Sequence, residues 1–194
     1  METQKKFSGK SEAEVWKQVE ADLNKDDDVY DYNAIIEQDG KKINLIIDID
    51  LGGGFEGGYA STGFSAEITN PKGFRFALHQ DGFIDDIGKF LGMQDVEVGY
   101  AELDKHLIIK TNDEGKVKKL FTHKEVRDVF EKLDDFDFGI RMHSVEHGDH
   151  KQSFLELNIE DGVTEPAELR KLYSAFYSVL DTIDNFKEET ISSD

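Results

Sequence analysis

Three histidines fall close together, His143, His147 and His150. Spacing of i and i+4 suits a metal ion when the backbone is helical. Here the segment reads as strand, where four residues span about 13 Å at roughly 3.3 Å each, so His143 and His147 share a face without sharing an ion. His147 and His150 are then expected to face each other across Gly148-Asp149, as a candidate metal pair. A catalytic metal would ask for a third fixed ligand held by partners of its own. The chain has no Cys, and no Ser stands in a Gly-x-Ser-x-Gly elbow. Ser144, next to His143 on a strand, points to the opposite face and forms no dyad with it.

The other candidate is a set of carboxylates, and its geometry comes from a turn. Tyr30, Tyr32, Ala34 and Ile36 alternate, Asp39-Gly40 supplies a two-residue hairpin loop, and Ile43, Leu45, Ile47, Ile49 and Leu51 alternate back. Pairing Gln38 with Lys41 sets Ile36 against Ile43, Ala34 against Leu45, Tyr32 against Ile47 and Tyr30 against Ile49, one apolar face throughout. On the other face Glu37 meets Lys42 and Asp31 meets Asp48, with Asp50 one pleat further. Asp31, Asp48 and Asp50 thus form a possible site for a hard cation such as Ca²⁺ or Mg²⁺, or for a partner's Lys or Arg. The alternative is that strand twist spreads them into water.

The elements that position these residues follow from periodicity. Ser11 and Glu14 make a capping box for a helix from Glu12 to Asn24 carrying Val15, Trp16, Val19 and Leu23. Strands are expected at Ala60 to Thr69 and Phe74 to Gln80, joined by the turn residues Asn70-Pro71-Lys72-Gly73. A short helix follows Asp81 as far as Leu91. Val96 to Tyr100 and His106 to Thr111 read as strands, and Gly115 to Phe121 as a helical turn. Thr122 with Glu125 is a second capping box, opening a helix through Val126, Val129, Phe130 and Leu133. A second hairpin runs from Phe136 to His147 and from His150 to Glu160, setting Met142 against Leu155, Ile140 against Leu157, Phe138 against Ile159 and Arg141 against Glu156. Thr164 is expected to cap a last helix with Pro166 in its first turn and Leu169, Leu172, Tyr173, Phe176, Leu180 and Ile183 as its buried stripe. The order describes one α+β domain over residues 1–194, an antiparallel sheet built from hairpins with helices packed on one face.

Five glycines between Gly52 and Gly58 follow a strand, but without the Lys-Ser/Thr of a P-loop and with strand rather than helix after them. They read as a connector. No cofactor is implied.

Charge narrows the partners. The 194 residues carry 42 acidic against 23 basic side chains, a formal net charge of −19. That opposes the phosphate neutralisation on which nucleic-acid binding depends, and no basic stripe offsets it. Apolar runs such as Leu45 to Ile47 and Leu107 to Ile109 are far short of a membrane span. Met1 to Lys10 has no signal-peptide core, and with no Cys the expected location is cytoplasmic.

Residues from about Ala60 to Leu133, with the glycine segment before them, resemble a widespread family of uncharacterised bacterial proteins. The resemblance rests on Gly52 to Gly58, Thr62, Leu91-Gly92, Gln94-Asp95-Val96-Glu97-Val98-Gly99, Leu103-Asp104, Leu107-Ile108-Ile109-Lys110 and Val126-Arg127. Leu103 stands where that family has an aromatic. The resemblance implies a bacterial protein whose shared residues serve packing and turns, with Asp95 and Asp104 as the polar positions to follow, and it supplies no chemistry.

Two functions remain. The acidic surface suits a non-catalytic binding or adaptor module that steers towards a basic protein partner. The alternative is a metal-assisted hydrolase using acidic residues with His147 and His150.

Overall fold

The computed structural model describes residues 4–25, 29–53, 57–69, 73–80, 92–144 and 151–191. It opens on a strand that no apolar alternation announces, β1 (Lys5–Gly9), which leads directly into α1 (Glu12–Leu23). Both halves of the capping box form at that junction: Glu14 N–H donates to Ser11 Oγ at 3.4 Å, and Ser11 N–H to Glu14 Oε2 at 3.3 Å. Then come β2 (Asp31–Gln38), β3 (Lys41–Asp50), β4 (Tyr59–Ile68), β5 (Phe76–Gln80) and β6 (Gln94–Asp95). They are followed by α2 (Ala101–Asp104), β7 (Leu107–Thr111), α3 (Glu114–Leu120), α4 (Lys124–Phe130), β8 (Phe136–Ser144), β9 (Lys151–Ile159) and α5 (Pro166–Ile191).

The described strands form one sheet in the order β1-β2-β3-β4-β9-β8-β5-β7-β6. Only β1 and β2 run parallel, with α1 as the crossover; the other neighbours are antiparallel. The first hairpin has the expected register, from Gln38 opposite Lys41 to Asp31 opposite Asp48. Its loop has φ of 49° at Asp39 and 79° at Gly40, the two left-handed residues that a type I′ turn requires.

One row of side chains shows how the core is laid down. Ala34, Leu45, Phe64, Leu157, Phe138, Leu78 and Ile109 stand side by side across seven strands, all buried. The helices cover that face: Phe176 of α5 packs on Phe64 and Phe138, and Phe130 of α4 stacks on Phe138 at 4.7 Å. Trp16 of α1 meets Tyr173 of α5 edge to face at 5.5 Å. The fold is α+β, with its helices on one face of a mostly antiparallel sheet.

Several local expectations are corrected. The second hairpin pairs Ser144 with Lys151, Ile140 with Leu155 and Phe138 with Leu157, two residues away from the register that a Gly148-Asp149 loop demands. Arg141 therefore faces Phe154 and bonds along its own strand to Asp137. The turn residues between β4 and β5 do not make these strands neighbours in the sheet, since β9 and β8 lie between them. The strand expected at Val96 to Tyr100 does not form, because ladder pairing with β7 ends just before it, at Gln94 and Asp95. Thr122 makes no capping box: His123 is the N-cap of α4, and Thr122 Oγ1 donates back to Lys119 O at 3.0 Å. The cap of α5 is not Thr164, because the first helical bonds end on Glu165 O. The helix expected from Asp81 to Leu91 lies outside the described residues.

Candidate functional site

A concave feature near polar groups is a cleft between α4 and α5. Its cause is side-chain size, since α5 turns Ala167, Ser174, Ala175 and Ser178 towards α4 at helical spacing, which leaves space beside Val126 and Val129. That stretch has a volume of about 530 Å³. A second stretch of about 670 Å³ shares Glu125, Val129 and Lys171 with it and runs on over Leu133, Ile159, Val163 and Leu172, so the two make one continuous cleft.

Fixed bonds hold the walls. Arg127 pins α4 by donating to Glu102 Oε1 at 2.7 Å, Phe121 O at 2.8 Å and Thr122 O at 2.7 Å, with its guanidinium 4.0 Å above the Tyr100 ring. The same bond holds the Glu102 carboxyl below the usual carboxylate range. Gln80, at the end of β5, donates to Leu133 O and Asp134 Oδ1 and accepts from Asp135 N–H, fixing the loop after α4. The buried Thr62 hydroxyl does the same for the connection into α5, donating to Asp161 O at 2.8 Å and accepting from Val163 N–H at 2.9 Å. On α5, Arg170 and Ser174 both bond Glu12 of α1.

The charge of the wider stretch is one-sided, whereas the stretch along Ala167 to Ser178 is lined by Arg170 and Lys171 against Glu125. Seven carboxylates and two lysines line the wider stretch. Lys124 neutralises Asp128, holding that carboxyl below its ordinary value. Among the described residues no cation lies within ion-pair distance of Glu125, Asp135, Glu160 or Glu168. Arg170, at the other stretch, is already paired with Glu12 at 2.7 Å. The arrangement suits an apolar ridge flanked by positive charge.

Asp31, Asp48, Asp50 and His143, singled out from sequence, lie elsewhere. Asp31 and Asp48 do stand opposite each other, and Asp50 follows on the same face. Asp48 Oδ2 accepts from the Tyr59 hydroxyl at 2.8 Å, and Asp50 Oδ1 accepts from Gly52 N–H at 2.8 Å. That bond to Asp48 is the main reason the Tyr59 phenol is raised above its ordinary value, followed by burial and then the charges of Asp48, Asp50 and Asp31. Among the described residues no three His, Asp or Glu side chains could hold a metal ion. His147 and His150 lie outside the described residues; His143 sits with Nε2 2.6 Å from Glu156 Oε1.

The two polar positions taken from the family resemblance are accounted for locally. Asp104 accepts from Val98 N–H at 2.9 Å and Gly99 N–H at 2.8 Å, clamping a turn in which Gly99 has φ 84°. Asp95 pairs with Lys110 at 2.5 Å. The cleft itself escaped sequence reading. Its one signal was the Ala and Ser spacing along α5, beside the stripe that forms the core.

No family model and no curated protein matches the sequence. Among solved structures the chain is similar to the crystal structure of the mycobacterial trehalose monomycolate transport factor A, TtfA, at 5% sequence identity and a TM-score of 0.44. The likeness covers 74% of this chain and 66% of that one, less than two thirds of its length. No described helix is long and apolar enough to cross a membrane.

Proposed function

We propose that this chain is a non-catalytic binding module for a basic protein partner, acting in the bacterial cytoplasm. The observation that carries the reading is the apolar cleft bordered by Glu125, Asp135, Glu160 and Glu168, which have no described cation within ion-pair distance. Charge in that position speeds encounter with a positive surface and rejects negative ones, while the apolar floor supplies the burial that holds a complex together. The family resemblance between Ala60 and Leu133 belongs to the same reading, since its polar residues close turns and ion pairs.

Immobilised protein should retain from a bacterial lysate a protein of high isoelectric point, at low salt, and release it as ionic strength rises past the point where the Debye length falls below about 8 Å. An acidic control protein of matched charge should not retain it. Enrichment equal to that control would remove the reading.

A further inference from the structure

Resting on that reading, we infer that the α4–α5 cleft is a docking groove for an amphipathic helix of the partner, one that presents an apolar ridge to the floor and lysine or arginine to the rim. The small residues of α5 from Ala167 to Ser178 extend about 17 Å at 1.5 Å per residue, three helical turns. A helix lying along that length offers side chains at i, i+3, i+4 and i+7, the spacing with which a groove of this kind is read. The floor suits such a ridge. Val126, Ala175, Leu172 and Ile159 are buried, whereas Val129 and Leu133 remain partly open to solvent.

Charge complementarity decides the occupant. Glu125, Asp135, Glu160 and Glu168 border the wider stretch without a described counter-ion within ion-pair distance and outnumber its two lysines, Lys132 and Lys171. Arg170 at the other stretch is held by Glu12, so an acidic or neutral helix would leave the carboxylates unpaired or repelled. A second copy of this chain would bring a net charge of −19 against them. A basic helix relieves the repulsion instead. The groove is also built before the partner arrives: Arg127, Gln80 and Thr62 fix its three walls, and so reduce the ordering cost of binding.

The test uses the full chain and a synthetic leucine–lysine peptide of roughly 14 residues, longer as a helix than the groove, with its leucines on one helical face. A peptide of the same composition in scrambled order separates groove docking from general attraction to an acidic protein. Ala167→Trp, at an exposed position, fills the floor, and Glu168→Lys with Glu160→Lys inverts the rim; Ile46→Ala on the uncovered sheet face is the control. Melting curves verify that each variant is folded.

The ordered peptide should bind at least about tenfold more tightly than the scrambled one. Both groove variants should lose that margin and Ile46→Ala should keep it, with amide resonance shifts centred on Val129, Leu133 and Lys171. Equal binding of the two peptides, unchanged binding by Ala167→Trp, or shifts centred on the sheet face would each overturn the groove. If a basic partner is still captured by the groove variants, the docking site is wrong and the binding reading stands. If neither capture nor peptide binding occurs, both fall.

Discussion

Asp31 and Asp48 face each other directly across neighbouring antiparallel strands, and the second of them is bound by the Tyr59 hydroxyl from the next strand. Opposed like charges weaken a strand pair by roughly 0.2–1 kcal/mol. Asp31→Asn should therefore raise the melting temperature at low salt, and the gain should shrink in high salt as screening takes over. Ca²⁺ and Mg²⁺ should shift the transition no more than NaCl of equal ionic strength, because among the described residues no three carboxylates group so as to hold a metal ion. Phenolate absorbance gives a second measurement. Tyr59 should ionise above an ordinary tyrosine and return towards it in Asp48→Ala. Since its folded value is raised, the bond's contribution is complete below about pH 10, the unfolded tyrosine value, and is lost as pH rises through the folded one.

Arg127 joins α2, α3 and α4 through two main-chain carbonyls, the Glu102 carboxylate and the Tyr100 ring. Arg127→Ala should cost about 2–3 kcal/mol, read from denaturant midpoints at unchanged slope. Arg127→Lys should recover little of it, because an ammonium cannot reproduce the forked donors or the stacking.

Two strand glycines should behave in opposite ways. A Cβ at Gly139 would lie 2.4 Å from Phe76 O and 3.0 Å from Ala77 Cα, so Gly139→Ala must push β8 off β5 and should cost about 3 kcal/mol or more. At Gly63 the nearest atoms would be 3.7 Å and 3.9 Å away, in ordinary contact. Gly63→Ala should be neutral or stabilising by up to about 1 kcal/mol, since it reduces the freedom of the unfolded chain. Thermal unfolding of the two variants separates them.

The contrast between the two hairpins shows what sequence can and cannot decide. In the first, Asp39-Gly40 adopts the turn its residues prefer, and the register follows to the last pair. In the second, a slip of two residues leaves every side chain on its original face, so Phe138, Ile140, Leu155 and Leu157 look equally satisfied in either register. Only the loop could choose, and Gly148-Asp149 pointed to a tighter one than the observed pairing leaves between Ser144 and Lys151. β1 was missed for another reason. Its alternation rests on Phe7 alone, and it is held by pairing with β2 and by α1 behind it. The cleft was invisible because one wall comes from α4 and the other from the end of β9 and α5, far along the chain from it, and it is the absence of bulk at Ala167 and Ser174 that makes it.

The placing of β9 and β8 between β4 and β5 has a consequence for synthesis. As the chain leaves the ribosome, the strands up to β4 can associate early, and β5 with β7 can form a second patch. Each then carries a bare edge facing a gap two strands wide, and that gap closes only when Ile159 has emerged. Thr62 pairs with Ile159 across about half the length of the chain, so this join has a high closure entropy and belongs late in folding. The nascent protein therefore carries a bare β4 edge from the emergence of Ile68 until that of Ile159, and a net charge of −19 on the chain opposes edge-to-edge association between copies over that interval.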